Sequence, residues 1–431
     1  MTKNRRVLLI TYYWPPCGGV AIFRPLMMAK HLQKMGWDVV VYTAEEAFYP
    51  SYDYSTEIPS DIEVIYGKIW EPYKLFKKFA GRKKEDSSNP VYVRDKKFSW
   101  KDQLSIWVRG NLFIPDARKY WIKPSVDRLT QYLENHPVDV VISTGPPHSS
   151  NMIGLGVSQQ CNLPLLVDFQ DPWTQVDYYK MLKISGWADK QHRKMEQQLF
   201  ESANAITIAS PSWAKDLETI GAKDVTPLLL GYEESELADL KHEESRFQLV
   251  HAGILGYDRA PITLVDVLAD LCREDHDFAS NLSILFAGIV DIGLKEYITQ
   301  KGLDRYTEYT GNVDKKVALQ YNKNASILLL PLNQAENVKG RIPGKLYENL
   351  RTGNPILCLG PQDSDVASII SSCDAGVTLP YDAYDQIKEF VLSCYKRWRG
   401  GEVQEISPKV SDYDVANQMA QLSELLNNIS R

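Results

Sequence analysis

Residues 341–361 read RIPGKLYENLRTGNPILCLGP and set a helix start, an acid one turn inside it and a buried strand within one short stretch. Pro343 and Gly344 are expected to open the helix. Proline's missing N–H is unsatisfied at a first helical position anyway, and the amides that follow make an anion site. Glu348 then falls about one turn in. Leu346 and Leu350, four apart, share the core face, Gly353 is placed to end the helix, and residues 355–360 (PILCLG) read as a buried parallel strand. This arrangement suits a nucleotide, because helix amides neutralise phosphate oxygens while a carboxylate accepts hydrogen bonds from vicinal ribose hydroxyls.

Strands and helices alternate on both sides of this unit. Residues 247–253 (FQLVHAG), 282–288 (LSILFAG), 306–310 (YTEYT) and 327–332 (ILLLPL) read as strands of one parallel sheet. A strand at 7–12, a helix at 20–35 stopped by Gly36 and a strand at 38–43 make a β-α-β unit near the N-terminus. Further strands are read at 138–143, 163–168 and 205–209, with a helix at about 187–201. Residues 45–123, irregular and rich in aromatics, are expected to form insertions and long loops. The apolar-to-charged change in LLLGYEESELADLKHEESR, residues 228–246, marks the linker. The expectation is an N-terminal Rossmann-like domain over 1–230, a C-terminal one over 231–410, and a last helix within 411–431.

The composition agrees with two such domains. A chain of 431 residues exceeds one typical core, and 44% hydrophobic with 24% charged residues is ordinary globular composition. A net charge of -6 lacks the basic footprint of a nucleic-acid binder. Cys17, Cys161, Cys272, Cys358, Cys373 and Cys394 form no CxxC pair and read as reduced thiols, neither a disulfide frame nor a zinc site. The N-terminal KNRR and VLLITYYW imitate a signal peptide, but Pro15-Pro16 and Gly18-Gly19 interrupt it and no run reaches the ~20 apolar residues of a membrane span. A cytoplasmic protein, soluble or peripheral on the inner membrane face, is expected.

Several positions have the chemistry of a site. Gly18 and Gly19 follow the first strand and precede a helix, where bare backbone admits a ligand or simply makes a tight turn. His148, in STGPPHSSNMIG, follows a strand beside Ser149 and Ser150, read as caps of the next helix; its near-neutral pKa suits proton transfer, and a plain loop side chain is the alternative. Asp168 and Asp171 in VDFQDPWTQ close a strand where active-site acids concentrate, or bond the loop; Asp168, nearer the sheet, is the one expected on backbone amides. Arg259 is placed to grip a diphosphate bidentately or to form a surface salt bridge. In residues 73–84 (YKLFKKFAGRKK), from Tyr73 to Lys84, six basic residues and no acid interleave with aromatics, as in a helix lying on an anionic membrane or in a solvated loop. Asp363-Ser364-Asp365 is explained by capping, and no metal or other cofactor is expected.

The PGKLYE and TGNPIL runs, with VDFQDPW, resemble the GT-B glycosyltransferases, especially the retaining group numbered family four and a bacterial polysaccharide-synthesis branch of it. The resemblance covers nearly the whole chain. It implies an α/β GT-B fold, two doubly wound Rossmann-like domains facing across a crevice, with the last helix packing back on the N-terminal domain. It implies transfer of a sugar from a nucleotide diphosphate sugar to a polysaccharide or lipid-linked acceptor, with retention and without a metal. Glu348 matches the second of the family's two glutamates eight positions apart; Gly340 stands at the first, and Glu336 is the nearest upstream acid. Of the family's Arg and Lys on the diphosphate, the first position is Ile254 and the second Arg259, with Lys345 available to compensate. Gln170 replaces a basic residue of the branch's DFRDPW element. Donor binding is thus expected at Gly18, Gly19, Arg259, Gly344, Lys345 and Glu348, and chemistry at Asp171, His148 or Asp168. A nucleotide-sugar epimerase, a sugar phosphorylase and a catalytically silent nucleotide-sugar binder remain rivals, since one fold hosts many activities.

Overall fold

The computed structural model describes residues 5–71, 100–243, 246–334, 337–402 and 405–430, the side chains of 101 and 102 apart. The basic cluster at 73–84 and Glu336 lie outside the described residues.

Two parallel sheets organise the chain. The first runs β3-β2-β1-β4-β5-β6-β7, with β1 Arg6–Ile10, β2 Asp38–Glu45, β3 Glu63–Lys68, β4 Val140–Gly145, β5 Leu165–Phe169, β6 Ala205–Ile208 and β7 Val225–Pro227. The second runs β10-β9-β8-β11-β12-β13, with β8 Phe247–Ala252, β9 Leu282–Ala287, β10 Thr307–Gly311, β11 Ile327–Pro331, β12 Ile356–Leu359 and β13 Gly376–Leu379. Neighbouring strands pair in parallel throughout both, so crossover helices cover both faces and the inner strands read as unbroken apolar runs. The sheet order, stepping outward from the first strand and then reversing, is that of a doubly wound Rossmann-like domain. Each sheet has its own core, around Leu8, Val40, Val141 and Val167 in the first and Leu249, Ile284, Leu329 and Leu357 in the second.

Three local expectations are corrected. Residues 45–123 are not only loops. They hold the edge strand β3, which closes on β2 so tightly that a Cβ at Gly67 would lie 1.9 Å from the Tyr42 hydroxyl, and they hold the helix Trp100–Leu112. The helix expected to open at Pro343 begins at Lys345, with Gly344 as its N-cap, and it ends as read at Gly353, whose left-handed φ of 78° relieves the last turn. Ser149 and Ser150 do not cap their helix. Pro147 occupies that position, and the Ser149 hydroxyl donates to Asp116 at 2.8 Å.

By its contacts the chain divides into Met1–Leu229 with Ala416–Arg431, and Leu230–Val415. The inserted segment leaves and returns at one place. Tyr232 N donates to Tyr413 O at 2.9 Å and Val415 N to Tyr232 O at 3.0 Å, and Leu229 N donates to Gln418 Oε1 at 2.9 Å. Gly231, at φ 83°, lies so close that a Cβ there would be 2.7 Å from Tyr413 O. Among the described residues no helix is long and apolar enough to cross a membrane.

Candidate functional site

In the second sheet the strands β8 and β9 end on Gly253 and Gly288, both at positive φ, where a Cβ on Gly288 would lie 2.3 Å from Gly253 O. Only glycine tolerates that conformation and that approach. Over Gly253 sits the ammonium of Lys345, so close that a Cβ on the glycine would be 2.5 Å from Nζ. Its polar neighbour is His251 of β8, 3.5 Å from Nζ to Nε2. His251 is 1% exposed, and its Nδ1 faces the Leu329 carbonyl of β11 at 2.9 Å. A carbonyl accepts only, so Nδ1 carries the proton and Nε2 presents a lone pair to the ammonium.

Charge in this cluster is unevenly matched. Lys345 lies in no salt bridge among the described residues, and burial, with the Arg259 guanidinium nearby, pulls its pKa down to about 8 against the opposing pull of Glu348. Burial pulls His251 down to about 3, with Lys345 adding to it, so the imidazole stays neutral. Glu348 stands one turn further along the same helix and pairs with Lys315 at 3.4 Å, and Lys315 also meets Glu236 at 2.5 Å. Burial still raises Glu348 above the usual carboxylate range, Lys315 opposing it. Arg259 pairs with its neighbour Asp258 at 3.2 Å. The amides of Leu346 and Tyr347 already donate to Pro343 O and Gly344 O, so fewer of this helix's amides are open to an anion than expected. Lys345, Gly344, Glu348 and Arg259 are thus gathered in one unit. His251 and Lys315 join them, and neither was singled out from sequence, since each is far along the chain from Lys345.

The remaining candidates belong to the other unit. The Gly18 amide donates to Ser51 O at 3.0 Å, tying its loop to the segment at 51–53, and Gly19, at φ 90°, caps the short 3-10 turn Val20–Ile22 that leads into the helix Phe23–Lys34. Asp168 is 0% exposed, and its partners are side chains, not the expected backbone amides: Arg24, Thr144 Oγ1 at 2.8 Å and Thr207 Oγ1 at 2.7 Å. Arg24, 3% exposed, grips both of its oxygens and donates its remaining nitrogen to Leu228 O at 2.7 Å. Asp168 therefore has no surface for a substrate. His148 begins the helix His148–Cys161 and stacks on Trp173 with centroids 4.4 Å apart; burial, then His192, pulls it down to about 3. Asp171, half-buried just past β5, raises the Tyr178 phenol after burial does, while Arg109 pulls the other way. Ser364 caps as read, accepting from Ala367 N at the start of the helix Asp365–Ser372, whereas Asp363 pairs with Lys339.

No curated protein matches the chain by sequence. Solved structures of the same fold do. HepE from Anabaena in complex with UDP aligns with TM-score 0.63 at 12% identity, over 98% of this chain and 100% of that one. Sucrose-phosphate synthase from Thermosynechococcus elongatus aligns at 0.61 and 13% identity, over 98% and 99%. WaaG, a glycosyltransferase involved in lipopolysaccharide biosynthesis, aligns at 0.55 and 12%, over 98% and 99%. Residues 18–231 match the model of the Glycosyl transferase 4-like domain. The chain is therefore similar to the Glycosyl transferase 4-like domain over those residues, and it has the two-domain fold of the GT-B glycosyltransferases.

Proposed function

We propose that this chain is a retaining glycosyltransferase that moves a sugar from a nucleotide diphosphate sugar to a polysaccharide or lipid-linked acceptor. The observation that carries the reading is Lys345, a half-buried ammonium held by an imidazole and in no salt bridge among the described residues, the one carboxylate acting on it, Glu348, being paired with Lys315. Buried charge is costly unless compensated, and a diphosphate supplies the missing anion. Glu348, one turn on, is the acid for the ribose hydroxyls, and Arg259 and the Gly344 amide add donors to the phosphates. When the bond from the anomeric carbon to the diphosphate oxygen breaks, its electron pair moves onto that oxygen, where Lys345 and Arg259 stabilise it. The sugar passes through a cationic, oxocarbenium-like state, and the acceptor hydroxyl attacks the anomeric carbon and loses its proton. Asp171 is the carboxylate assigned to that charge and proton. The UDP bound by HepE makes UDP the first nucleotide to try.

Incubation with a panel of nucleotide sugars and a lipid-linked or glycan acceptor tests the reading. Free nucleoside diphosphate and a longer glycan support it. A changed donor alone marks an epimerase, a requirement for inorganic phosphate marks a phosphorylase, and binding without turnover marks a silent partner.

Glu348→Ala should keep the fold and lose donor affinity, by roughly 1.5 to 3 kcal/mol for a charged hydrogen-bond acceptor. Calorimetry showing unchanged nucleoside diphosphate affinity removes Glu348 from the site.

A further inference from the structure

Lysines that bind anions are commonly steadied by a carboxylate, which also cancels part of their charge. Lys345 is steadied differently. Its ammonium lies over the bare backbone of Gly253, 3.5 Å from the His251 Nε2, and the other ring nitrogen is committed to Leu329 O. Three elements fix this geometry: β8 supplies the imidazole, β11 the carbonyl that sets its tautomer, and the helix Lys345–Thr352 the lysine. The charged groups that face the pair are Arg259, occupied by Asp258, and Glu348, occupied by Lys315. None of them cancels the ammonium directly.

We propose that His251 is the positioning residue of Lys345: its Nε2 lone pair holds the ammonium over Gly253 and leaves the full charge to the diphosphate of a nucleotide ligand. This rests on the reading of that cluster as a diphosphate site. An imidazole suits the role because it accepts a hydrogen bond without bringing a counter-charge. His251 does not titrate above pH 6, so the pH dependence of binding belongs to Lys345, which loses its proton near pH 8 in the free protein. The sign is fixed. Diphosphate binds the ammonium, so affinity is full below about pH 8 and falls as pH rises through it.

The test is calorimetric titration of the whole chain with UDP between about pH 7 and 8.5, where the uracil is largely neutral and the terminal phosphate largely ionised, on wild type, His251→Phe, His251→Gln and Lys345→Arg. Wild-type affinity should be level to about pH 8 and then fall, approaching tenfold per pH unit for one linked proton. His251→Phe removes the acceptor from a half-buried cation, so the midpoint should drop by about one unit and cost up to tenfold at pH 8, with only about a twofold loss at pH 7. His251→Gln keeps an accepting oxygen and should restore the wild-type midpoint. Lys345→Arg, whose guanidinium stays protonated, should give a level profile. A merely structural histidine would lower thermal stability and leave the midpoint alone. If His251→Phe does not fold, His251→Asn, one methylene shorter than Gln, takes its place. The inference is overturned if Phe or Asn keeps the wild-type midpoint, if Gln shifts it as far, or if Lys345→Arg retains the fall. Wild type that binds no UDP at any pH overturns the diphosphate reading, and this inference with it.

Discussion

Asp168→Ala should lower the free energy of unfolding by about 3–5 kcal/mol, the usual effect of removing one partner from a buried ion pair. Arg24 is 3% exposed and gives two of its three nitrogens to Asp168, so the substitution strands a guanidinium in the core with the Leu228 carbonyl as its remaining partner. Thr144 and Thr207 lose their acceptor as well. Urea denaturation measures this directly. The pair's own net worth is small, because desolvation offsets most of the attraction, so Asp168→Leu combined with Arg24→Met should recover much of the loss. A single-variant loss below about 1 kcal/mol would mean that water reaches Arg24 and that the pair is not the anchor described.

Asp171→Asn should leave folding and donor binding intact and lower turnover at least about a hundredfold, the low end for a lost acid-base group. The side chain lies beyond the end of β5, half-buried, within electrostatic reach of Tyr178. His148→Ala should cost less. Its ring is 7% exposed, packed flat on Trp173, and at a pKa of about 3 it is a poor proton acceptor at neutral pH. Equal turnover of Asp171→Asn and wild type, with saturating donor and a competent acceptor, would move the role to His148 or to the acceptor itself.

The strands were legible because a parallel strand buried on both faces is an apolar run, as in LLVDF, ILLLP and ILCL, and Gly353 announced its helix end by needing a left-handed residue. Most edge strands were not: β10 was read at 306–310, while β3, β7 and β13 were missed. In β3 only Gly67 is buried, among half-buried and exposed residues, and in β13 only Leu379 is buried. Pairings across the fold were also out of reach. Asp168 sits 144 residues from Arg24, and Lys345 lies 94 from His251, whose place inside an apolar strand made it look like core. Local spacing shows which residues share a helix face or a strand end. It says nothing of which distant side chain completes a buried charge.

Leu230–Val415 leaves the rest of the chain and rejoins it within two residues of a shared pair of backbone hydrogen bonds, at Tyr232. Its start and finish therefore lie side by side, and so do the flanking ends it interrupts, joined through Leu229 and Gln418. Adjacent ends are the condition under which a domain tolerates excision, insertion or permutation. Leu230–Val415 is in this sense a cassette: recombination at just two neighbouring joints can exchange it between relatives while the rest of the chain is inherited untouched.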